Sequence, residues 1–241
     1  MPDFLILKTG STLPSILATE GDFEAWFVRA LPAGLSTRVV NVAEGEQPPA
    51  PGEFAGVLVT GSPAMVSHRE PWSEASALWL RALVEQGVPV LGICYGHQLL
   101  AHAFGGRVDY HPGGREIGTH EVRLNDNAAS DALFKGMSAR FMAHLSHRQS
   151  VLELPNEAVH LGSSDHDANQ AFRIGERAWG VQFHPEFSVE VMSAYLDAQS
   201  EALRAEGLDY PALVSAVKET ADALMIIREF AALATGHSSL R

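Results

Sequence analysis

The 241-residue chain has one cysteine, Cys94, and few basic groups: 17 Lys and Arg stand against 29 Asp and Glu, a net charge of −12. A lone cysteine excludes an intrachain disulfide and fits a reducing compartment. A strong negative balance argues against nucleic acid or an anionic membrane face as partner. The chain also lacks any run approaching the roughly 18 apolar residues of a membrane span. Its start, Met1-Pro2-Asp3-Phe4-Leu5-Ile6-Leu7-Lys8, has no basic segment ahead of a signal-length apolar stretch. A cytoplasmic location is therefore expected. Hydrophobic residues make up 46% and charged residues 19% of the chain, enough apolar matter for a sizeable core and too much for disorder.

What is present is an alternation of short apolar runs with helical spacing. Phe4–Leu7, Arg38–Val42, Gly56–Val59 and Val88–Ile93 are aliphatic runs bounded by Gly, Pro, Ser or Thr. Trp72, Ala75, Trp79, Ala82 and Gln86 recur every three to four residues before Gly87, and His97–Phe104 is likewise helical before Gly105-Gly106. Such a pattern predicts an α/β fold: three layers, helices on both faces of a mostly parallel open sheet. Ligands then bind at the carboxyl ends of the strands.

The second half reads as an antiparallel or mixed extension of the sheet. Its candidate strands are Ile117–Leu124, Phe141–Ala143, Ala158–Gly162, Gln170–Ile174 and Trp179–Phe183. From Ser188 onward a stripe of Val189, Met192, Tyr195, Leu196 and Gln199 predicts a helix. After a hinge at Ala205–Tyr210, a second helix is expected to open at Pro211, with Val214, Val217, Ala221, Leu224 and Arg228 on one face. The expected organisation is a domain over 1–187 with a C-terminal helical extension over 188–241 packed on it.

Cys94 lies in Gly92-Ile93-Cys94-Tyr95-Gly96-His97-Gln98, directly after the apolar run. A free cysteine ordinarily serves as a small buried hydrophobe. Here a strand breaks sharply into a helix, and the flanking glycines leave room for a strained turn that lifts the thiol out of the sheet. The helix start supplies partial positive charge and free N–H groups that favour a nucleophilic thiolate. Such a nucleophile needs a base and a group to orient it. In Phe183-His184-Pro185-Glu186, Pro185 forces His184 into extended geometry and stops the strand. Residues two apart in an extended segment point the same way, so His184 and Glu186 can project together. His97, His102 and His111 show no metal-ligand spacing, and no dinucleotide or Walker fingerprint follows a strand; neither metal nor cofactor is expected.

Five segments together resemble the class I (triad) glutamine amidotransferases, in the family's order. They are Thr60-Gly61-Ser62-Pro63, the Gly92–Gln98 segment, Arg115-Glu116-Ile117-Gly118, Leu145-Ser146-His147-Arg148-Gln149-Ser150-Val151, and Gly180-Val181-Gln182-Phe183-His184-Pro185-Glu186. The nearest flavour resembles the glutaminase part of GMP synthase. The resemblance implies that Cys94 attacks the side-chain amide of glutamine, His184 moves the proton, Glu186 orients His184, and a thioester forms. It implies an oxyanion hole from the backbone N–H groups of Gly61 and Tyr95. It implies substrate contacts from Gln98, Ser146, His147, Arg148 and Gln149. Related sequences often read Ser-His-Gly-Asp where this chain has Ser146-His147-Arg148-Gln149, so an acid that would grip the substrate ammonium is missing.

Glu116 matches a family loop and reads as a surface charge. The residues after Glu186 are too few for a synthetase half, so any ammonia acceptor is expected on another polypeptide, with the chain itself a monomer or homodimer. Two other functions compete: a γ-glutamyl hydrolase or peptidase acting on larger γ-glutamyl amides, and a non-catalytic regulatory relative.

Overall fold

The structure, a computed structural model, describes residues 4–52 and 54–236. The start at Met1-Pro2-Asp3 and the last five residues of the expected C-terminal extension lie outside the described residues. The elements run β1 (Phe4–Lys8), α1 (Pro14–Glu20), α2 (Phe23–Ala30), β2 (Thr37–Asn41), β3 (Gly56–Val59), α3 (Pro71–Glu85), β4 (Val90–Ile93) and α4 (Tyr95–Ala103). There follow β5 (Arg107–Tyr110), β6 (Glu116–Leu124), α5 (Asp126–Ser130), β7 (Arg140–His147), β8 (Gln149–Glu153), β9 (Ala158–Ser163), β10 (Ala171–Ile174) and β11 (Ala178–Val181). Four helices close the chain: α6 (Val189–Ala198), α7 (Ser200–Ala205), α8 (Tyr210–Ala216) and α9 (Ala221–Thr235).

One mixed sheet, ordered β2-β1-β3-β4-β11-β10-β9-β6-β7, organises the molecule. It is parallel from β2 through β11 and antiparallel from there to β7. A small antiparallel pair, β5 with β8, stands beside it. The parallel strands are short and buried on both sides, as helices on both faces require. Alternate residues of β1 sort into the two layers. Phe4 and Ile6 join Leu58, Leu91, Phe27 of α2 and Phe230 of α9. Leu5 and Leu7 join Val57, Val90, Leu80 of α3 and Leu99 of α4.

The C-terminal segment differs from its sequence expectation. The single helix expected from Pro211 is two, because Val217 turns extended after α8 and the chain restarts helically only at Ala221. The restart rotates the buried stripe: α9 buries Ala223, Ile226, Ile227 and Phe230, and Val214 is largely exposed. Carrying one periodicity through the break puts Ala221 and Arg228 on the exposed face, whereas Leu224 still packs at the edge of the core. None of the helices among the described residues is long and apolar enough to cross a membrane.

Two strand ends set the position of the site. β4, an interior strand of the parallel half, stops at Ile93, one residue before Cys94. At the other end of the sheet, the antiparallel half curls back until the His144 carbonyl of β7 accepts the His184 N–H at 2.8 Å. The twist of the sheet thus brings β7, separated from β11 by three intervening strands, over the carboxyl end of β4.

Candidate active site

Cys94 is the junction between β4 and α4, with φ +52° and ψ −101°. Only one other described non-glycine residue, Arg69, has positive φ. A side chain held there costs of order 1–3 kcal/mol, and the neighbouring glycines show how it is enforced. A Cβ on Gly92 would lie 2.4 Å from the Gly96 carbonyl oxygen, and one on Gly96 would lie 2.6 Å from the Val59 carbonyl oxygen. The two glycines let the turn fold on itself and press against β3. Gly96 N–H donates to the Thr60 carbonyl at 3.2 Å, tying the turn to the end of β3.

His184 stands beside the sulfur. Its Nδ1 meets Glu186 Oε1 at 2.7 Å, and the ring lines the same cavity as Cys94, close enough for the cysteine to act on its protonation. The ring is buried and stacked on Phe187, centroids 4.0 Å apart, and on Phe23 at 6.3 Å. Burial works against the imidazolium. The charges of Glu186 and Cys94, with their hydrogen bonds, outweigh it and push the His184 pKa up to about 10. Neighbouring His144 goes the other way: burial, then the charge of His184, lowers it to about 4, so it sits neutral with Nδ1 on the Thr119 hydroxyl at 3.0 Å.

A cavity of about 180 Å³ opens over Cys94. Tyr95, Gln98, Ser146, His147, Arg148, Gln149 and His184 line it with Cys94, whereas Glu186 and Gly61 do not. Glu186 lies behind His184. Gly61 backs onto the imidazole, where a Cβ would lie 2.9 Å from His184 Cε1. Its carbonyl accepts the Thr9 and Thr60 hydroxyls at 3.0 and 2.9 Å. In a trans peptide this turns the N–H of the same unit, that of Ser62, the opposite way, and Ser62 lines the cavity. Tyr95 opens α4, where an N–H has no acceptor within the helix. Its hydroxyl is anchored on Ser73 at 2.6 Å.

Gln98 reaches back from α4: its Nε2 donates to the Gln149 carbonyl at 2.7 Å and to Gln182 Oε1 at 2.9 Å. Ser146 places its carbonyl 4.0 Å from the Cys94 sulfur. Gln149 is turned toward Ser67, whose hydroxyl accepts its Nε2 at 2.5 Å. The His147 ring donates from Nδ1 to the Gln149 carbonyl at 2.9 Å and from Nε2 to Glu116 at 3.0 Å. Both contacts are donations, which only the cation can make at once. Burial opposes that cation, but Glu116 raises the His147 pKa above its ordinary value.

The expectation of a surface position for Glu116 is therefore corrected. The residue is buried, accepting also from Ser164 at 2.7 Å and Gln170 at 2.8 Å. It lies at the first position of β6, opposite His147 on β7, and a position outside the apolar run gave no sign of that pairing. Sequence reasoning also missed Arg115, Tyr195 and Gln199, all of which line the cavity. Arg115 belongs to one of the five family-like segments. The other two come from α6 and its cap, where an apolar stripe read only as packing.

An α/β sheet that delivers a cysteine on a strained strand–helix turn, beside a carboxylate-backed histidine, has the arrangement that acyl transfer through a cysteine requires. Similarity to known proteins narrows this. The family described as glutamine amidotransferase class-I matches residues 22–200, and the chain belongs to that family of enzymes. Over 136 residues it is 38% identical to one subunit of the glutamine-hydrolysing GMP synthase from Methanopyrus kandleri, covering 55% of this chain and 66% of that one. Over 185 residues it is 37% identical to the glutamine-hydrolysing GMP synthase of Cytophaga hutchinsonii, covering 76% of this chain and 32% of that one. The chain thus spans less than two thirds of the length of these curated relatives. In fold it is similar to a glutamine amidotransferase from Thermotoga maritima, with a TM-score of 0.77, 20% identity, and coverage of 97% and 98% of the two chains.

Proposed function

We propose that the chain hydrolyses a side-chain carboxamide of the glutamine type through a Cys94 thioester. The observation that carries the proposal is His184 bridging Cys94 and Glu186 at the floor of a cavity. Cys94 Sγ attacks the amide carbon, and the carbonyl oxygen becomes an oxyanion held by the Tyr95 N–H and the N–H groups of the Gly61–Ser62 loop. Each such donor is worth about 10²–10³ in rate. His184, kept protonated by Glu186, gives its proton to the departing nitrogen, and ammonia leaves. The neutral imidazole then takes a proton from water, the hydroxide attacks the thioester, and the carboxylic acid departs as the thiolate re-forms. Gln98 and the Ser146–Gln149 segment shape the acyl side of the cavity.

The reading extends to a partner. A relative named as one subunit of the glutamine-hydrolysing GMP synthase supports an acceptor protein that consumes the ammonia. A free reactive thiol suits the reducing cytoplasm. The Arg148-Gln149 segment supports a second reading, in which a γ-glutamyl amide with a larger leaving group is cleaved by the same chemistry.

Release of glutamate and ammonia from glutamine is expected from the purified chain, supplied with its partner, and Cys94→Ala should remove it to background. Turnover that survives the substitution would overturn the proposal.

A further inference from the structure

The cavity over Cys94 has an unusual charge inventory for a site meant to hold an amino acid. No Asp or Glu lines it among the described residues, yet two guanidiniums, Arg115 and Arg148, do. Arg115 is almost wholly buried; its Nη1 donates to Gln199 Oε1 at 2.8 Å, and its Nε lies 2.7 Å from Glu206. Arg148, half exposed, reaches the same Glu206 at 3.1 Å. Glu206 lines an adjoining cavity of about 330 Å³ that shares Arg115 and Arg148 as its wall. One carboxylate between two guanidiniums leaves the rim one positive charge in surplus.

Several of the acceptors around the cavity are already engaged. The Gln149 carbonyl accepts from Gln98 and His147, the Arg148 carbonyl accepts the His111 N–H, and Gln199 Oε1 accepts from Arg115. The side chain that replaces the expected acid, Gln149, is turned onto Ser67. An ammonium entering this cavity loses its water with no carboxylate in return and faces the surplus positive charge, which is costly. A carboxylate instead meets Arg148, which spends one arm of its five-donor fork on Glu206. The adjoining cavity beyond the arginines offers room for a substituent that an unmodified amino acid lacks.

Resting on the cysteine-hydrolase reading above, we infer that the substrates best suited to this site are primary ω-amides of dicarboxylic acids that keep an anionic carboxylate but have no free α-ammonium, the α-nitrogen being acylated or absent. The chemistry balances as ordinary hydrolysis: the amide C–N bond is exchanged for C–O from water, and ammonia leaves.

The test compares L-glutamine, N-acetyl-L-glutamine and glutaramate on the full chain in two ways: ammonia release, and protection of Cys94 from iodoacetamide, which needs no turnover. The two ammonium-free amides are expected to protect at concentrations at least about 10-fold below glutamine, and to be preferred by a similar factor in kcat/KM where turnover is seen. Arg148→Ala, at a half-exposed position, should raise KM for the ammonium-free amides and so shrink that preference. Parity, or preference for glutamine, overturns the inference while Cys94-dependent hydrolysis leaves the underlying reading standing. If no amide protects Cys94 or is hydrolysed, both fall.

Discussion

Glu186→Gln is expected to lower kcat by about 10³–10⁴, the scale on which an orienting carboxylate acts when its loss leaves the imidazole in the wrong tautomer. The neutral amide keeps the size of the side chain and most of its packing. What goes is the charge that, with Cys94, outweighs burial and holds the His184 pKa at about 10. The sign of the pH effect follows. Protonated His184 is needed to release ammonia, so activity is lost as pH rises through its pKa, and removing Glu186 lowers that pKa. The alkaline limb of the pH–rate profile should therefore move to lower pH in the variant, and a steady-state profile across the alkaline range reads it directly. An unmoved limb would mean that another group titrates there.

Gly92→Ala should produce the largest loss of stability of any single methyl addition in the turn. The new Cβ would sit 2.4 Å from the Gly96 carbonyl oxygen, which is backbone inside the nucleophile turn and cannot swing away. Forced overpacking of this kind costs about 3 kcal/mol or more when the obstacle is rigid. For a domain of this size that corresponds to a fall in Tm of roughly 10 °C. Thermal unfolding followed by circular dichroism measures it. A variant within about 1–2 °C of the parent would show that the turn can relax, and that the strain at Cys94 is not enforced by its neighbours.

The parallel half of the fold was legible because its strands are unbroken aliphatic runs and its helices carry clean three-to-four spacing. The cysteine turn was legible for a related reason. Small residues at Gly92 and Gly96 have a steric meaning that survives without coordinates. His184 and Glu186 could be paired because a proline between them fixes the backbone.

Elsewhere the needed information was long-range. That Glu116 is buried depends on β6 pairing with β7 so that Glu116 faces His147, a register that no local pattern encodes. The same holds for Arg115 and Glu206, which meet only because α6 and α7 fold over the cavity. The break before α9 was hidden because apolar residues continue at helical spacing on both sides of it. Gly61 shows a subtler limit. Its motif marks a loop that packs beside His184, and the direction of its peptide is set by the hydroxyls of Thr9 and Thr60, one of them from another strand end.

The central claim is that Cys94 is an activated nucleophile because His184 stands against it. The most direct measurement is the rate of Cys94 alkylation by iodoacetamide near neutral pH, in the parent chain and in His184→Ala, with a model thiol as reference. The account predicts a parent rate at least about 10-fold above the model thiol, falling to that level in the variant. A parent cysteine no faster than the model thiol, or one indifferent to the loss of His184, would contradict it.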